Sequence, residues 1–224
     1  MSATLAIFDL DGTLIDSLGD LADAMNAVLE GSGYATHPRA SYRYFVGDGI
    51  EMLVRRALPP AVVDKANIPE VVGVMQKEYS ERWLATTLPF PQIPELLAGL
   101  AFRGIQTAVL SNKPDHPTRE IVNALFAEDT FDVIRGARDD VPLKPDPTST
   151  LGIISELGVS PRQTVFVGDT PIDMTTGANA GTRTVGATWG FRKTQELVDA
   201  GAGQVIHEPL ELLAYVDLLS DENS

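Results

Sequence analysis

Short apolar runs recur along the chain, and their length and spacing predict the strands of a parallel β-sheet. Each run is too short and too continuous for an amphipathic helix, and most end in Gly, Asp, Ser or Asn. The predicted strands are Leu5–Leu10, Gln106–Leu110, Phe131–Ile134, Thr164–Val167 and Arg183–Ala187. Segments of helical length with proline near the first turn accompany the later runs. These predicted helices are Pro94–Phe102, Pro117–Phe126, Pro147–Leu157 and Pro171–Ala180.

The chain between the first and second predicted strands is too long for a single crossover connection. Its apolar residues recur at helical spacing in three stripes, near residues 18–29, 50–57 and 71–83. We therefore predict an α/β protein with a Rossmann-like, mostly parallel sheet covered on both faces. Residues 1–15 and 91–224 would form this discontinuous core. Residues 16–90 would form an inserted helical cap domain, hinged as a lid at Leu14–Ser17 and Leu88–Pro91.

Composition excludes several functions. The 31 acidic and 17 basic residues give a net charge of −14, which argues against nucleic-acid or anionic-membrane partners. The chain has no cysteine, so thiolate catalysis, cysteine-bound zinc and disulfides are excluded. Since we find no signal peptide and no apolar run long enough to span a membrane, we expect a cytoplasmic protein. Its partner would be a small molecule, and the composition leaves monomer and homodimer open.

Polar residues follow the predicted strands, where ligands bind in open α/β sheets. These residues are Asp9, Asp11, Gly12, Thr13, Ser111, Asn112, Lys144, Asp169 and Asp173. Asp9 and Asp11 are two positions apart, so both point to one side in extended backbone. One carboxylate can attack a phosphorus atom and the other can act as general acid and base. An oxygen-only cluster also suits Mg²⁺. Each motif alone is typical of an ordinary capped turn, but together they favour a site.

In chain order, these motifs resemble the four signatures of the haloacid dehalogenase superfamily. They are Asp9-Leu10-Asp11-Gly12-Thr13, Ser111-Asn112, Lys144-Pro145 and Gly168-Asp169-Thr170-Pro171-Ile172-Asp173. The helical insertion lies where that superfamily has its mobile cap. The resemblance implies a Mg²⁺-dependent phosphatase with a phospho-aspartate intermediate.

The resemblance also implies a role for each site residue. Asp9 would be the nucleophile and a metal ligand. Asp11 would be the acid and base, with its backbone carbonyl on the metal. Lys144 would neutralise the nucleophile and the phosphate. The other phosphate-binding residues would be Ser111, Asn112, Gly12 and Thr13. The other metal ligands would be Asp169 and, directly or through water, Asp173.

The insertion is similar to the cap of phosphoglycolate phosphatases at residues 42–49 and 53–58. An acid at Asp11 fits a phosphatase or phosphomutase, since the halide that leaves in a dehalogenase needs no proton. The resemblance therefore implies 2-phosphoglycolate as the substrate, with Arg43 as the candidate for its carboxylate and Gly47, Asp48 and Gly49 nearby. A sugar-phosphate phosphatase, a phosphomutase and a non-catalytic binding protein stay open as alternatives.

Overall fold

The structure is a computed structural model that describes residues 3–221, so the first two and last three residues of the predicted core lie outside it. Within the described chain, six parallel strands form one sheet in the order β5-β4-β1-β6-β7-β8, which confirms the predicted α/β fold. The strands are β1 (Leu5–Phe8), β2 (Ile15–Asp16), β3 (Leu88–Pro89), β4 (Gln106–Pro114), β5 (Val133–Ala137), β6 (Thr164–Gly168), β7 (Arg183–Ala187) and β8 (Gln204–Ile206).

The four helices predicted beside the later strands are present, with ends within two residues of the prediction. In full, the helices are α1 (Leu18–Gly31), α2 (Ile50–Ala57), α3 (Pro60–Val63), α4 (Ile68–Ser80), α5 (Ile93–Phe102), α6 (Asp115–Leu125), α7 (Thr148–Glu156), α8 (Pro171–Asn179), α9 (Thr194–Asp199) and α10 (Glu211–Asp221), with 3-10 turns at Arg39–Tyr44 and Pro161–Gln163. The sequence analysis did not predict β8, α9 or α10. Across residues 3–221, the helices are too short or too polar to cross a membrane.

The central strand β1 separates two apolar cores because successive side chains point to opposite faces of a sheet. Leu5 and Ile7 pack on one face, against a small cluster that includes Phe166. Ala6 and Phe8 pack on the other face, in a larger core that continues into α1, α2 and α4. Both pairs are fully buried. Strand β1 pairs in register with β4 on one side and with β6 on the other. This pairing fixes β1 at the centre of the sheet, and with it Asp9, the residue that follows the strand.

The three apolar stripes of residues 16–90 coincide with α1, α2 and α4, although α4 ends before Trp83. Helix α1 contacts α4, which also contacts α2. Met25 from α1 and Met75 from α4 are both fully buried where the helices meet. The insertion is therefore helical, as predicted. Its independence as a cap domain stays a prediction.

The two predicted hinge segments run side by side as the antiparallel pair β2 and β3, with Ile15 opposite Pro89 and Asp16 opposite Leu88. Next to this pair, the Asp20 carboxylate on α1 accepts hydrogen bonds from the backbone amides of Thr86 and Thr87 at 3.0 Å. It also accepts bonds from their hydroxyls at 2.6 and 2.7 Å. Where the chain leaves the core and where it returns are thus tied by one buried carboxylate.

We expect Asp20→Asn to lower the free energy of unfolding by about 2 kcal/mol at pH 7. The asparagine amide can accept fewer of these hydrogen bonds than the carboxylate, and the bonds that remain are no longer strengthened by a negative charge. Burial would raise the pKa of Asp20, but the Thr86 and Thr87 donors outweigh it and lower the pKa below its usual value. A group with a lowered folded-state pKa stabilises the fold above its unfolded pKa, near 4. The wild-type advantage, measured by urea unfolding, should therefore shrink as the pH falls below about 4.

The matched control is Asp23→Asn on the same helix. Asp23 is exposed and its ion pair with Arg39 is long, at 3.4 Å. We expect its effect to stay below about 0.5 kcal/mol. Equal stability of wild type and Asp20→Asn at pH 7 would contradict the proposed role of the network.

Candidate active site

The chain leaves the sheet at Asp9, directly after the central strand. Its backbone amide donates to the Val167 carbonyl at 2.9 Å, so the pairing of β1 with β6 continues up to this residue. A tight turn follows, in which the Gly12 amide donates to the Ile15 carbonyl at 2.9 Å. Gly12 has a φ of +96°, a region that favours glycine. The turn brings the Asp9 and Asp11 side chains, both buried, to the carboxyl edge of the sheet.

Three buried carboxylates converge at this edge. Asp9, Asp169 and Asp173 each offer an oxygen, and these oxygens lie within 4.8 Å of one another. Burial is the main cause that raises the pKa of Asp9 to about 7; the charges of Asp173 and Asp11 contribute to the rise, and Lys144 opposes it. Burial, together with the charges of Asp9 and Asp173, raises the pKa of Asp169 well above its usual value. A buried set of oxygen donors without sulfur or imidazole fits a hard divalent cation such as Mg²⁺.

Lys144 supplies positive charge to this cluster. Its ammonium lies 2.8 Å from Asp9 Oδ1 and 2.7 Å from Asp173 Oδ1. Burial alone would lower the pKa of Lys144, but the charges of Asp173 and Asp9 outweigh burial and raise it. The lysine therefore stays charged and neutralises one of the three carboxylates, so the remaining negative charge still favours a cation.

Asp169 is held by both neighbouring loops. Its Oδ1 accepts from the Thr13 hydroxyl at 2.9 Å and its Oδ2 from the Phe191 amide at 2.7 Å. A Cβ atom on Gly12 would lie 2.5 Å from Oδ2, and one on Gly190 would overlap the Asp169 side chain. Gly12 and Thr13, predicted to bind phosphate, thus pack around Asp169 in this structure, and their contact with phosphate stays a prediction.

Asp173 joins the cluster to helix α8. Its Oδ2 accepts from the Thr170 amide at 3.0 Å and from the Thr170 hydroxyl at 2.7 Å, in a capping box at the start of α8. Its other oxygen is the one that Lys144 contacts. One carboxylate thus caps the helix and faces the site, which fixes its orientation.

Asn112, which the resemblance predicts to bind phosphate, forms hydrogen bonds with the loop that carries Lys144. Its Oδ1 accepts from the Lys144 amide at 2.9 Å, and its Nδ2 donates to the Lys144 carbonyl at 3.1 Å. The same Nδ2 lies 3.2 Å from the carbonyl of Gly47 in the insertion. Ser111, one position earlier, is buried and lines the cavity described below. That either residue binds phosphate stays a prediction.

Lys113 is a site residue that the sequence analysis did not assign. Its ammonium contacts Asp11 Oδ1 at 2.9 Å and Oδ2 at 2.8 Å, while the Ser17 hydroxyl donates to Oδ1 at 2.5 Å. Burial would lower the pKa of Lys113, but the charge of Asp11 outweighs burial and raises it. The signal was available: in a strand, residues 111 and 113 point to the same side, so a lysine two positions after Ser111 faces the site.

A cavity of about 310 Å³ opens between this edge and the insertion. Core residues on its wall include Asp9, Asp11, Ser111, Asn112 and Lys113. The insertion contributes mainly apolar side chains together with two glycines. These residues include Leu21, Val46, Gly47, Gly49, Ile50, Leu53, Tyr79 and Trp83.

The predicted specificity residues divide into two groups. Gly47 and Gly49 line the cavity and have positive φ angles of 121° and 87°. Asp48 and Arg43 are not among the described residues that line it. Asp48 pairs with Arg56 at 2.5 Å, and Arg43 donates to the Gly190 carbonyl at 3.2 Å. A role for Arg43 or Asp48 in substrate choice stays a prediction.

We expect Gly12→Ala to weaken Mg²⁺ binding, measured by titration calorimetry, by about tenfold to a hundredfold, because the new methyl group would displace an Asp169 oxygen. The matched control is Gly33→Ala. Gly33 also has a positive φ of 74°, but a Cβ there meets no atom within 4 Å. Both variants carry the backbone strain, and only the first disturbs the carboxylates. Equal Mg²⁺ affinities for the two variants would contradict the crowding of Asp169.

Comparisons with known proteins identify the family of this chain. The family model for haloacid dehalogenase-like hydrolases matches residues 6–187. A phosphoglycolate phosphatase of Aquifex aeolicus is 36% identical over 187 residues, which cover 84% of this chain and 85% of the relative. A phosphoglycolate phosphatase of Psychrobacter arcticus is 35% identical over 204 residues, 88% of each chain.

Among solved structures, a Lactobacillus delbrueckii protein described provisionally as a phosphoglycolate phosphatase superposes with a TM-score of 0.90. It is 28% identical, and the match covers 96% of this chain and 99% of the other. The relatives confirm the predicted enzyme class, a phosphoric monoester hydrolase similar to phosphoglycolate phosphatases. The chain belongs to the haloacid dehalogenase-like hydrolases, in their phosphoglycolate phosphatase-like group.

Proposed function

We propose that the protein is a Mg²⁺-dependent phosphatase that hydrolyses a small phosphate monoester, best 2-phosphoglycolate, through a phospho-aspartate on Asp9. The observation that carries this proposal is the buried cluster of Asp9, Asp169, Asp173 and Lys144, of which Asp9 also lines the cavity together with a further carboxylate, Asp11. The relatives named as phosphoglycolate phosphatases support the choice of substrate. The lack of cysteine suits the proposed cytoplasmic location.

The donor set supports the choice of metal. Asp9, Asp169 and Asp173 would hold Mg²⁺ by their carboxylates, and the resemblance adds the backbone carbonyl of Asp11. When bound, Mg²⁺ offsets carboxylate charge and polarises the phosphoryl group. Lys144, already paired with Asp9 and Asp173, adds charge beside the oxygens of the phosphoryl group.

In the first step, an Asp9 carboxylate oxygen attacks phosphorus and the bond from phosphorus to the ester oxygen breaks. Asp11, in the protonated form that this step requires, gives its proton to the leaving oxygen, so an alcohol departs. In the structure both Asp11 oxygens accept from Lys113, so the protonated form keeps only one of these contacts. Ser111 and Asn112 would bind the phosphoryl oxygens during this transfer. The charge on Lys144 stabilises the negative charge that gathers on those oxygens.

In the second step, the Asp11 carboxylate takes a proton from a water molecule as that water attacks the phosphorus of the acyl phosphate. Inorganic phosphate leaves, and Asp9 and protonated Asp11 are restored. Asp11 is paired with Lys113 and Ser17 in the structure, which holds its carboxylate in one orientation. We propose that residues 16–90 act as a lid that shields the acyl phosphate from bulk water between the two steps.

A second candidate is a phosphatase or phosphomutase for a larger sugar phosphate. The cavity volume of about 310 Å³ supports this second candidate, since pockets of roughly 300 Å³ and above hold ligands much larger than glycolate. A screen of phosphorylated metabolites with Mg²⁺ decides between the two. The highest kcat/KM should fall on 2-phosphoglycolate, and a much higher value on a hexose phosphate would replace it.

Excess chelator should abolish phosphatase activity, and added Mg²⁺ should restore it. Ca²⁺ should restore little, because its longer bonds and higher coordination number displace the attacking carboxylate. The measurement is phosphate release after dialysis against each ion. Full activity in excess chelator would exclude the metal site.

Replacing either carboxylate of the first motif by asparagine should impair a different part of the reaction. Asp9→Asn removes the nucleophile, so both turnover and covalent phosphorylation should vanish. Asp11→Asn should lower turnover by about 10²–10⁴. It should still be phosphorylated slowly by 4-nitrophenyl phosphate, whose leaving group needs little protonation.

Intact-protein mass spectrometry after mixing detects the phosphorylated form, which should accumulate in Asp11→Asn because hydrolysis of the acyl phosphate also needs Asp11. The exposed Asp23→Asn is the control and should behave as wild type. Substantial activity of Asp9→Asn would mean that a different residue is the nucleophile.

A further inference from the structure

Two buried groups on the cavity wall touch no reacting atom in the steps above: the Lys113 ammonium, which only orients Asp11, and the Tyr79 hydroxyl. We propose that these two groups bind the second anionic group of the substrate, which is the carboxylate in 2-phosphoglycolate. This proposal rests on the proposed function and assigns a specificity site within it.

Lys113 is the only lysine or arginine among the described residues that line the cavity. His116, also on the wall, is mostly exposed and pairs with Glu120 at 3.2 Å. The Arg43 guanidinium donates to the Gly190 carbonyl and lies off the cavity wall. An anionic group that enters this cavity therefore meets Lys113 as its cation.

An ammonium has three N–H donors. Two of the Lys113 donors are directed at the two oxygens of Asp11. The third can serve a ligand without breaking the contact with Asp11. Because Asp11 must reach the leaving oxygen of the substrate, a group attached one carbon beyond that oxygen arrives next to Lys113. The carboxylate of 2-phosphoglycolate is such a group.

Tyr79 completes the site from the insertion side. The residue is 6% exposed, and its hydroxyl makes no hydrogen bond of standard length in the described structure, although it lies close enough to the Lys113 ammonium for each group to shift the pKa of the other. A buried hydroxyl without a partner is costly, so an acceptor is expected there. The Lys113 ammonium lies 4.8 Å from the centre of the Tyr79 ring. Burial raises the pKa of Tyr79 to about 12, which keeps the hydroxyl protonated as a donor.

The two groups come from different parts of the chain, Lys113 from β4 and Tyr79 from α4. A carboxylate that accepts from both would link the sheet edge to the insertion. A substrate without that group would lose this link, so specificity and closure over the site would depend on the same two contacts.

The test compares 2-phosphoglycolate with 2-hydroxyethyl phosphate, in which a hydroxymethyl group replaces the carboxylate. Tyr79→Phe removes only the hydroxyl and keeps the ring over Lys113. We expect its kcat/KM for 2-phosphoglycolate to fall about three- to tenfold, mainly through KM, with less than a twofold change for 2-hydroxyethyl phosphate. Tyr34→Phe, at a tyrosine off the cavity wall, is the control.

Lys113→Met should lower activity on both substrates, because Asp11 loses its partner. It should lower kcat/KM for 2-phosphoglycolate by a further tenfold to a hundredfold. Lys77→Met, at an exposed lysine of α4, is its control. Binding is measured separately in the Asp9→Asn background, where no turnover interferes. There, titration calorimetry should show weaker 2-phosphoglycolate binding for both cavity variants and an unchanged affinity for both controls.

Equal losses on the two substrates would assign Lys113 and Tyr79 to Asp11 or to packing alone and would overturn the proposal. A selective loss in Arg43→Ala, with none in Lys113→Met or Tyr79→Phe, would move the carboxylate to the arginine and also overturn it. If wild-type enzyme hydrolyses other phosphate esters but not 2-phosphoglycolate, the proposed substrate fails and this site fails with it. If 2-phosphoglycolate is a good substrate and selectivity is unchanged in all variants, only this site fails.

Discussion

Carboxylate repulsion is the constraint on which the rest of this site depends. Asp9, Asp169 and Asp173 bring buried oxygens within 4.8 Å of one another, an arrangement that needs compensating charge. The chain supplies one ammonium, from Lys144, and backbone or hydroxyl donors to both oxygens of Asp169 and to the second oxygen of Asp173. These contacts fix the carboxylates in place without neutralising all of them. A divalent cation would compensate the remaining negative charge. An anionic substrate could then approach the site although the net charge of the chain is −14.

Each of the two lysines of the site pairs with one of the two aspartates of the first motif. Lys144 contacts Asp9, while Lys113 contacts Asp11. Parallel neighbours in register make this pairing possible, because β1 and β4 end at the same edge and their alternate residues face the same way. Asn112, between Ser111 and Lys113, holds the Lys144 loop by both of its amide atoms. One strand thus orients both lysines, one directly and one through a neighbouring loop.

Local patterns predicted the sheet and the motif residues, because each strand is a short apolar run and the polar residues follow directly at its carboxyl end. Partners distant in sequence were harder to predict. Lys113 meets Asp11 across 102 positions and Thr13 meets Asp169 across 156, and no periodicity encodes such pairs. Strand β8 was missed because its three residues, Gln204–Ile206, are too few to show alternation. The domain boundaries and the roles of the site residues stay predictions, since geometry shows proximity and not chemistry.

Two sets of contacts of different strength hold the insertion. At its base, its two ends are held to each other: β2 pairs with β3, and the buried Asp20 carboxylate accepts from four donors, the amides and hydroxyls of Thr86 and Thr87. Between the insertion and the sheet edge, the contacts include single hydrogen bonds to backbone carbonyls, such as Asn112 to Gly47 at 3.2 Å and Arg192 to Val46 at 3.1 Å, and the Arg192 guanidinium also lies 5.0 Å from the centre of the Tyr44 ring. Each bond of the second kind contributes about 1 kcal/mol, and water can replace it. The proposed lid would need this asymmetry, because it would open at the cavity in every cycle while its base stays folded. A substrate group held by both sides of the cavity would strengthen the weaker end only while it is bound.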